Sequence, residues 1–532
     1  MDLNNIFKAS AIVTALVLAG CGGDINITPT VNDTSTNNSN NTTNTTNEGN
    51  DTGTGDGTTT ENPCASYETS GVEVQGEYTD GNCEYSKDFV SPASPLTTDI
   101  TLAKLDNGGA HFFKSSLVVG ENCNTSDSCV LVTEGPTVEI EAGATLAFDD
   151  SSSRVQINRG ANIEAVGTYS NPIIFTSANA IASLKVADAQ PQDWGGIMID
   201  GFGITDQCSD AERAAVTCNA ESEGAVTYYG GNDNTDNSGT LKFVKIHYAG
   251  GLPAGAEEGN DLNSLSLFAV GSGTTIDYVD IYAGYDDGVE LFGGAVNLKH
   301  IVVTDTQDDS IDIDAGWKGN AQFILIKHGT VVNAAGNTIN MGNGGFESDG
   351  TKVKDNNVAP SAPQIANVTV ITIDEESVRD GNPSVAIKLD DFISATWYNT
   401  VLVKTTATQT HCFENSGDAE QVVVDGAVSM KNSVAACAVL AKSETVGATT
   451  YTNWLTDTAE DNNSILGGDA DVLASNGFAT IADLKTPFDV TTIDASFFES
   501  VDFIGAVSPT DTSSDWYDWA KDAYDNAIAN EL

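Results

Sequence analysis

Seven of the eight carboxylates between positions 286 and 314 are candidates for chemistry: Asp286, Asp287, Glu290, Asp308, Asp309, Asp312 and Asp314. Oxygen donors at this density suit a hard divalent cation, calcium above all, because close like charges raise one another's pKa until a cation or a proton intervenes. The same groups could instead do acid–base work, with Asp308, Asp309 and Asp312 as carboxyls and Lys318 as the proton acceptor. A third reading needs no ligand. Asn263, Asp287, Asp309 and Asn337 recur at matching points, and amide or carboxylate side chains stacked this way hydrogen-bond to backbone freed at a turn.

The positioning elements are legible as a repeat. Leu265-Ser266-Leu267-Phe268, Val289-Glu290-Leu291-Phe292, Ile311-Asp312-Ile313-Asp314 and Ile339-Asn340-Met341-Gly342 align at offsets of 24, 22 and 28 residues. In each line the first and third residues are apolar. Side chains alternate along a strand, so Ile311 and Ile313 turn inward while Asp312 and Asp314 turn outward. Stacking in register sets Glu290 beside Asp312 and Asp287 beside Asp309, about 5 Å apart. A second series, Thr240–Ile246 over Thr275–Ile281, continues through Ile301–Val303, Phe323–Ile326 and Asn367–Ile371. Short strands repeating at this length, without helical periodicity or hairpin signals, predict an all-β, right-handed parallel β-helix with N- and C-terminal caps.

The coil is expected from Gly135 to about Thr405, where Val138, Ile140, Leu146, Phe148, Val155, Ile157, Ile163, Ala165 and Ile174 open the pattern. That length allows about ten to twelve coils and a rod of roughly 50 Å. Residues 63–134 read as an N-terminal cap and 406–532 as a C-terminal capping region. Within the latter, Trp516–Tyr524 is expected to be a short helix or an aromatic plug on the coil end. Open strand edges at the ends of a solenoid need such covers.

The first 21 residues carry a short apolar run, Ala9–Ala19, too short to span a bilayer, and read as a signal peptide. Leu18-Ala19-Gly20-Cys21 resembles the lipobox of bacterial lipoproteins, in which Cys21 would be lipidated. With no aspartate after the cysteine, the resemblance implies the outer membrane. Residues 22–62, rich in Asn, Thr and Gly, read as a flexible tether. The eight remaining cysteines fall into four local pairs, and in an exported chain they predict the disulfides Cys64–Cys83, Cys123–Cys129, Cys208–Cys218 and Cys412–Cys437. Zinc is the weaker alternative, since no CxxC pair is present.

The formal charge of −54, from 76 acidic and 22 basic residues, argues against nucleic acid or anionic lipid as a partner, since both need a basic face. No P-loop, GxSxG, HExxH or nucleotide fingerprint occurs.

Several phrases carry a family resemblance. Gly143-Ala144-Thr145, Arg159-Gly160-Ala161, Pro172–Ser177, Asp193-Trp194-Gly195-Gly196, Asp286–Gly294, Gln307–Ser310 and Val501–Ala506 are similar to phrases of right-handed parallel β-helix lipoproteins and secreted proteins of Gram-negative bacteria. The resemblance implies the fold and little about activity. Adjacent Asp-Asp pairs are also similar to those of inverting pectin hydrolases, but the Gly-His-Gly turn and Arg-Ile-Lys phrase of those enzymes are missing. A lyase would need a base, for which Lys318, Lys299-His300 and Lys327-His328 are at hand.

Two functions therefore stand as expectations. The first is an outer-membrane-anchored lipoprotein, periplasmic or surface-exposed, that binds polysaccharide or another cell-surface ligand, or serves as a spacer, with structural calcium. The alternative is a carbohydrate-active enzyme, a polysaccharide lyase or glycoside hydrolase, working through the acidic cluster.

Overall fold

The computed structural model describes residues 62–531, apart from 128, 254–259, 354–355, 374–375, 380, 382, 405–410, 417–426, 444, 447–448, 458–460 and 469–470. The expected signal peptide, Cys21 and all but the last residue of the tether lie outside the described residues. Among the described residues no helix is long and apolar enough to cross a membrane.

The chain forms a parallel β-helix. One face is a sheet of ten strands in chain order: β1 (Leu117–Val119), β2 (Val155–Ile157), β3 (Ile197–Asp200), β4 (Leu265–Phe268), β5 (Val289–Phe292), β6 (Ile311–Asp314), β7 (Gly344–Ser348), β8 (Val385–Leu389), β9 (His411–Asn415) and β10 (Val439–Ala441). Each pairs in parallel with the next, so every coil returns to this face. Alternation drives the stacking. Leu265, Val289, Ile311 and Phe346 form one inward column, and Leu267, Leu291 and Ile313 form another, all essentially buried. At about 25 cal/mol per Å² of apolar surface, these stacked columns supply the drive for coiling. Phe148 and Trp194 add a stacked aromatic pair inside.

The other two faces are the halves of long bent strands, Gly239–His247, Thr275–Tyr282, Asn297–Thr304, Asn320–Lys327 and Gln364–Thr372. The bend in each is one residue in the left-handed region: Phe243, Tyr278, His300, Phe323 and Asn367, with φ between 51° and 61°. Asn399 and Asn432 continue the column. Non-glycine residues hold this conformation only where surrounding contacts compensate. Here the rings stack, Phe243 on Tyr278 at 4.2 Å, Tyr278 on His300 at 4.2 Å and His300 on Phe323 at 5.0 Å.

Several expectations change. Parallel pairing begins at Asn82–Tyr85, well before Gly135, so much of 63–134 belongs to the coil; an antiparallel hairpin, Ser66–Thr69 with Val72–Gln75, lies ahead of it. In Ile173–Ser177 the inward residues are Ile173 and Phe175, not Ile174, because the strand pairs one residue out of the expected phase. The fourth repeat line is also misplaced. Residues 330–340 form a two-stranded antiparallel hairpin inserted between coils, so Ile339-Asn340-Met341-Gly342 is not a rung. The true rung is β7, with Phe346 opposite Ile311 and Glu347 opposite Asp312, and Asn337 leaves the column.

The C-terminal region differs most. Residues 411–415, 429–441 and 464–465 extend the coil in parallel register. The rest folds back along its side instead of plugging its end. Asn399 donates to the Phe488 carbonyl at 2.9 Å and accepts from the Phe488 amide at 2.7 Å; Gln322 and Glu499 make the same reciprocal pair at 2.8 Å each. Asn367 donates to Phe503 and Asn432 to Thr486. The helix Asp515–Glu531 then lays Trp516 against His300 and Trp519 against Phe243. All four expected disulfides form.

Candidate cation site

The acidic residues stand where alternation puts them. Ile311 and Ile313 are buried in the core, and Glu290 and Asp312 oppose one another on the outer face of β5 and β6. The ladder is present too. Asn263 Oδ1 accepts from the Asp287 amide at 3.1 Å, and Asp287 Oδ1 accepts from the Asp309 amide at 2.9 Å. Gly344 continues the column because the Asp309 carboxylate fills the space a Cβ would need.

The ladder leaves oxygens over. Ligand atoms of Asp286, Asp287 and Asp308 lie within 4.8 Å of one another, and so do those of Asp287, Glu290 and Asp312; the two groups share Asp287. Although this face points outward, Asp287 is only 8% exposed and Glu290 6%. Burial, and then neighbouring carboxylates, push Asp287, Glu290 and Asp312 well above the usual carboxylate range. Glu223, from a loop over the face, is raised to about 7 by burial and by Asp314.

Three cations that the sequence reading missed sit among these acids. Arg379 bridges Asp261 at 2.6 Å, Asp286 at 2.9 Å and Asp308 at 3.0 Å. Lys388 bridges Asp309 at 3.0 Å and Glu347 at 3.5 Å. Lys352 pairs with Asp314 at 3.1 Å and Asp349 at 2.8 Å. Burial opposes their charge, but the facing carboxylates keep all three protonated. Asp309 and Asp314 thus fall outside both three-carboxylate groups, each held by a lysine.

The two groups differ in kind. Asp286 and Asp308 already have Arg379 between them. Among the described residues no cation pairs with Asp287, Glu290 or Asp312, and Asp312 Oδ1 is a buried oxygen without a hydrogen-bond partner. Glu290 has the Asn263 amide as a donor. This arrangement suits a hard cation with oxygen ligands.

The expected bases are placed elsewhere. The Lys318 ammonium donates to the carbonyls of Ala359 and Pro360, with burial lowering its pKa to about 8. It lies past β6 and makes no ion pair with the cluster. His300 belongs to the corner stack and meets Asp277 at 2.8 Å, while Lys299 meets Glu499. His328 is buried between Ser310 and Ser384, and burial takes its pKa down to about 3.

Lys388 and Glu347 were recoverable from sequence. Phe346-Glu347 and Ile387-Lys388 repeat the Ile311-Asp312 alternation once the 330–340 insertion is recognised. Arg379 comes from an irregular loop, which carries no periodic signal.

The family model described as a pectate-lyase-like beta helix domain matches residues 114–475. No curated protein and no solved structure gives a significant match.

Proposed function

The chain belongs to the pectate-lyase-like β-helix family, and on that premise we propose that it is a lipid-anchored, exported module that binds carbohydrate and holds calcium at Asp287, Glu290 and Asp312. Family membership fits a carbohydrate-related role. The lipobox-like Leu18–Cys21 and the four disulfides support export to an oxidising compartment with attachment to the outer membrane.

One observation carries the calcium: three carboxylates converge under cover with no cation of their own, beside a neighbouring trio that has Arg379. Leaving such a group uncompensated costs several kcal/mol per charge, which an ion or protons must offset. Binding is favoured over hydrolysis on one ground. The cations beside them are tied to carboxylates, which leaves them poor proton acceptors.

The test is calorimetric titration of calcium into the metal-stripped full chain. One saturable site is expected, lost in Asp287→Asn and in Asp312→Asn. Absence of heat, together with a melting temperature indifferent to calcium, would reduce the column to a hydrogen-bonded ladder.

A further inference from the structure

A second concave site lies apart from the acids. A groove of about 660 Å³ opens between the loop 179–190 and the inserted hairpin 330–340, with Tyr248 and Tyr282 in its floor. That volume falls within the usual range for small-molecule sites. The two rings are perpendicular, 5.5 Å between centroids, and Tyr282 is backed by Val331, Met341 and Ala527 of the C-terminal helix.

The walls are held before any ligand arrives. Asn179 accepts from the amides of Val186 and Ala187, and Asp193 takes bonds from Ser177, Asn179 and the Gln190 amide. Across the groove, Asn333 accepts from the amides of Ala335 and Asn337, fixing the hairpin tip. Gln190 ties one wall to the other by donating to the Val332 carbonyl at 3.3 Å. Preorganised walls reduce the ordering cost of binding.

What remains unused is informative. Among the described residues the Gln190 side-chain oxygen Oε1, the Asn333 side-chain NH₂ and the half-buried Tyr248 hydroxyl have no hydrogen-bond partner. That gives one acceptor, one donor and one group that is both. In a chain of net charge −54 the groove is lined by a single acid, Asp188, and it is neutralised by Lys185 at 2.7 Å. A tyrosine beside amides and a hydroxyl, with the lining acid paired to Lys185 and Asp193 taken up by three donors within the wall, matches a ligand that is rich in hydroxyls and itself uncharged.

We propose that this groove binds a short stretch of neutral saccharide, with a sugar ring against Tyr248 and its hydroxyls on Gln190 and Asn333. The inference rests on the carbohydrate-binding reading above and is independent of calcium.

The experiment prints neutral hexasaccharides (β-1,4-glucan, β-1,4-xylan, β-1,4-mannan and α-1,4-glucan) beside a polyuronate on one array and probes it with the full chain in chelator. At least one neutral hexasaccharide is expected to bind, tenfold or more weaker in Tyr248→Ala and several-fold weaker in Asn333→Ala. Gln190→Glu is the second variant, and it keeps the volume while placing an unneutralised charge in the groove. It also replaces the amide that donates to the Val332 carbonyl, so it should weaken binding both through the added charge and through the lost tie between the walls. Asp287→Asn should have no effect here, which separates failure of the calcium site from failure of this one. Binding of none of the neutral hexasaccharides, or binding indifferent to Gln190→Glu and Asn333→Ala, would overturn the proposal.

Discussion

Two outward-facing columns run along the same coil, and the molecule covers both in opposite ways. At the bent corner Phe243, Tyr278, His300, Phe323 and the asparagines after them are overlaid by the C-terminal segment, with rings packed and the side-chain amides bonded to backbone. On the ten-stranded face Asp287, Glu290, Asp309 and Asp312 are overlaid by inserted loops, with Arg379, Lys388 and Lys352 too few for the acids they meet. The difference is one of sufficiency. Neutral groups can be covered by protein alone, because most bonds they offer find an internal partner and one left unmet, such as the Trp519 indole N–H, costs far less than a buried charge. Buried carboxylates cannot, and the residual charge makes that face answer to pH and to ions.

Breaking the neutral column should have the largest effect. Trp516→Ala removes a ring packed on His300 and is expected to cost about 3–5 kcal/mol, read as a fall in denaturant midpoint with no calcium dependence. On the acidic side, calcium at a hundredfold excess over its dissociation constant should add about 2.7 kcal/mol to wild type and nothing to Asp287→Asn, by differential scanning calorimetry. Arg379→Met sharpens the contrast. It frees Asp286 and Asp308, so a second calcium per chain is expected by titration.

The pH dependence should separate the faces as well. Asp287, Glu290 and Asp312 are raised in the fold, so in chelator the stability they lend is complete below about pH 4 and is lost as pH climbs through their folded values. With Glu223 and Asp349 raised to about 7, melting temperature should decline between about pH 4 and 7, and calcium should flatten that decline. Asp280 runs the other way. Burial would raise it, yet Lys245 at 3.2 Å and His247 at 3.3 Å pull it to about 2, so its contribution persists above about pH 4 and disappears as pH falls through 2. A melting curve in chelator that is flat from pH 4 to 7 would break the comparison. Smaller again is Asn399→Ala, expected to cost about 1–2 kcal/mol by leaving the Phe488 amide and carbonyl unpaired. The smallest effect is assigned to Lys318→Met, which should leave the calcium isotherm unchanged.

Spacing made much of this legible in the sequence. Val289 over Ile311 and Glu290 over Asp312 follow from strand alternation and an even coil length, and the coil itself follows from their repetition. Legibility stops where length varies. The 330–340 hairpin shifted the next rung and hid Glu347 and Lys388, which share the Asp312 column. The side-packed helix was invisible for another reason: Trp516 and Trp519 announce burial but not the partner, and a corner column of mixed Phe, Tyr, His and Asn has no common chemistry to align. Arg379 reaches its three aspartates from a loop, through contacts that no local pattern encodes.

Tyr169 donates to Asp522 at 3.0 Å across 353 positions of chain. A closure that long carries a large entropic cost and is rewarded only once the intervening rungs exist to hold its ends near. The side segment is therefore a latch that shuts after the rungs have stacked. On that order a chain stalled before the latch closes would expose the corner rings, and it is expected to aggregate or be cut more readily than the finished fold.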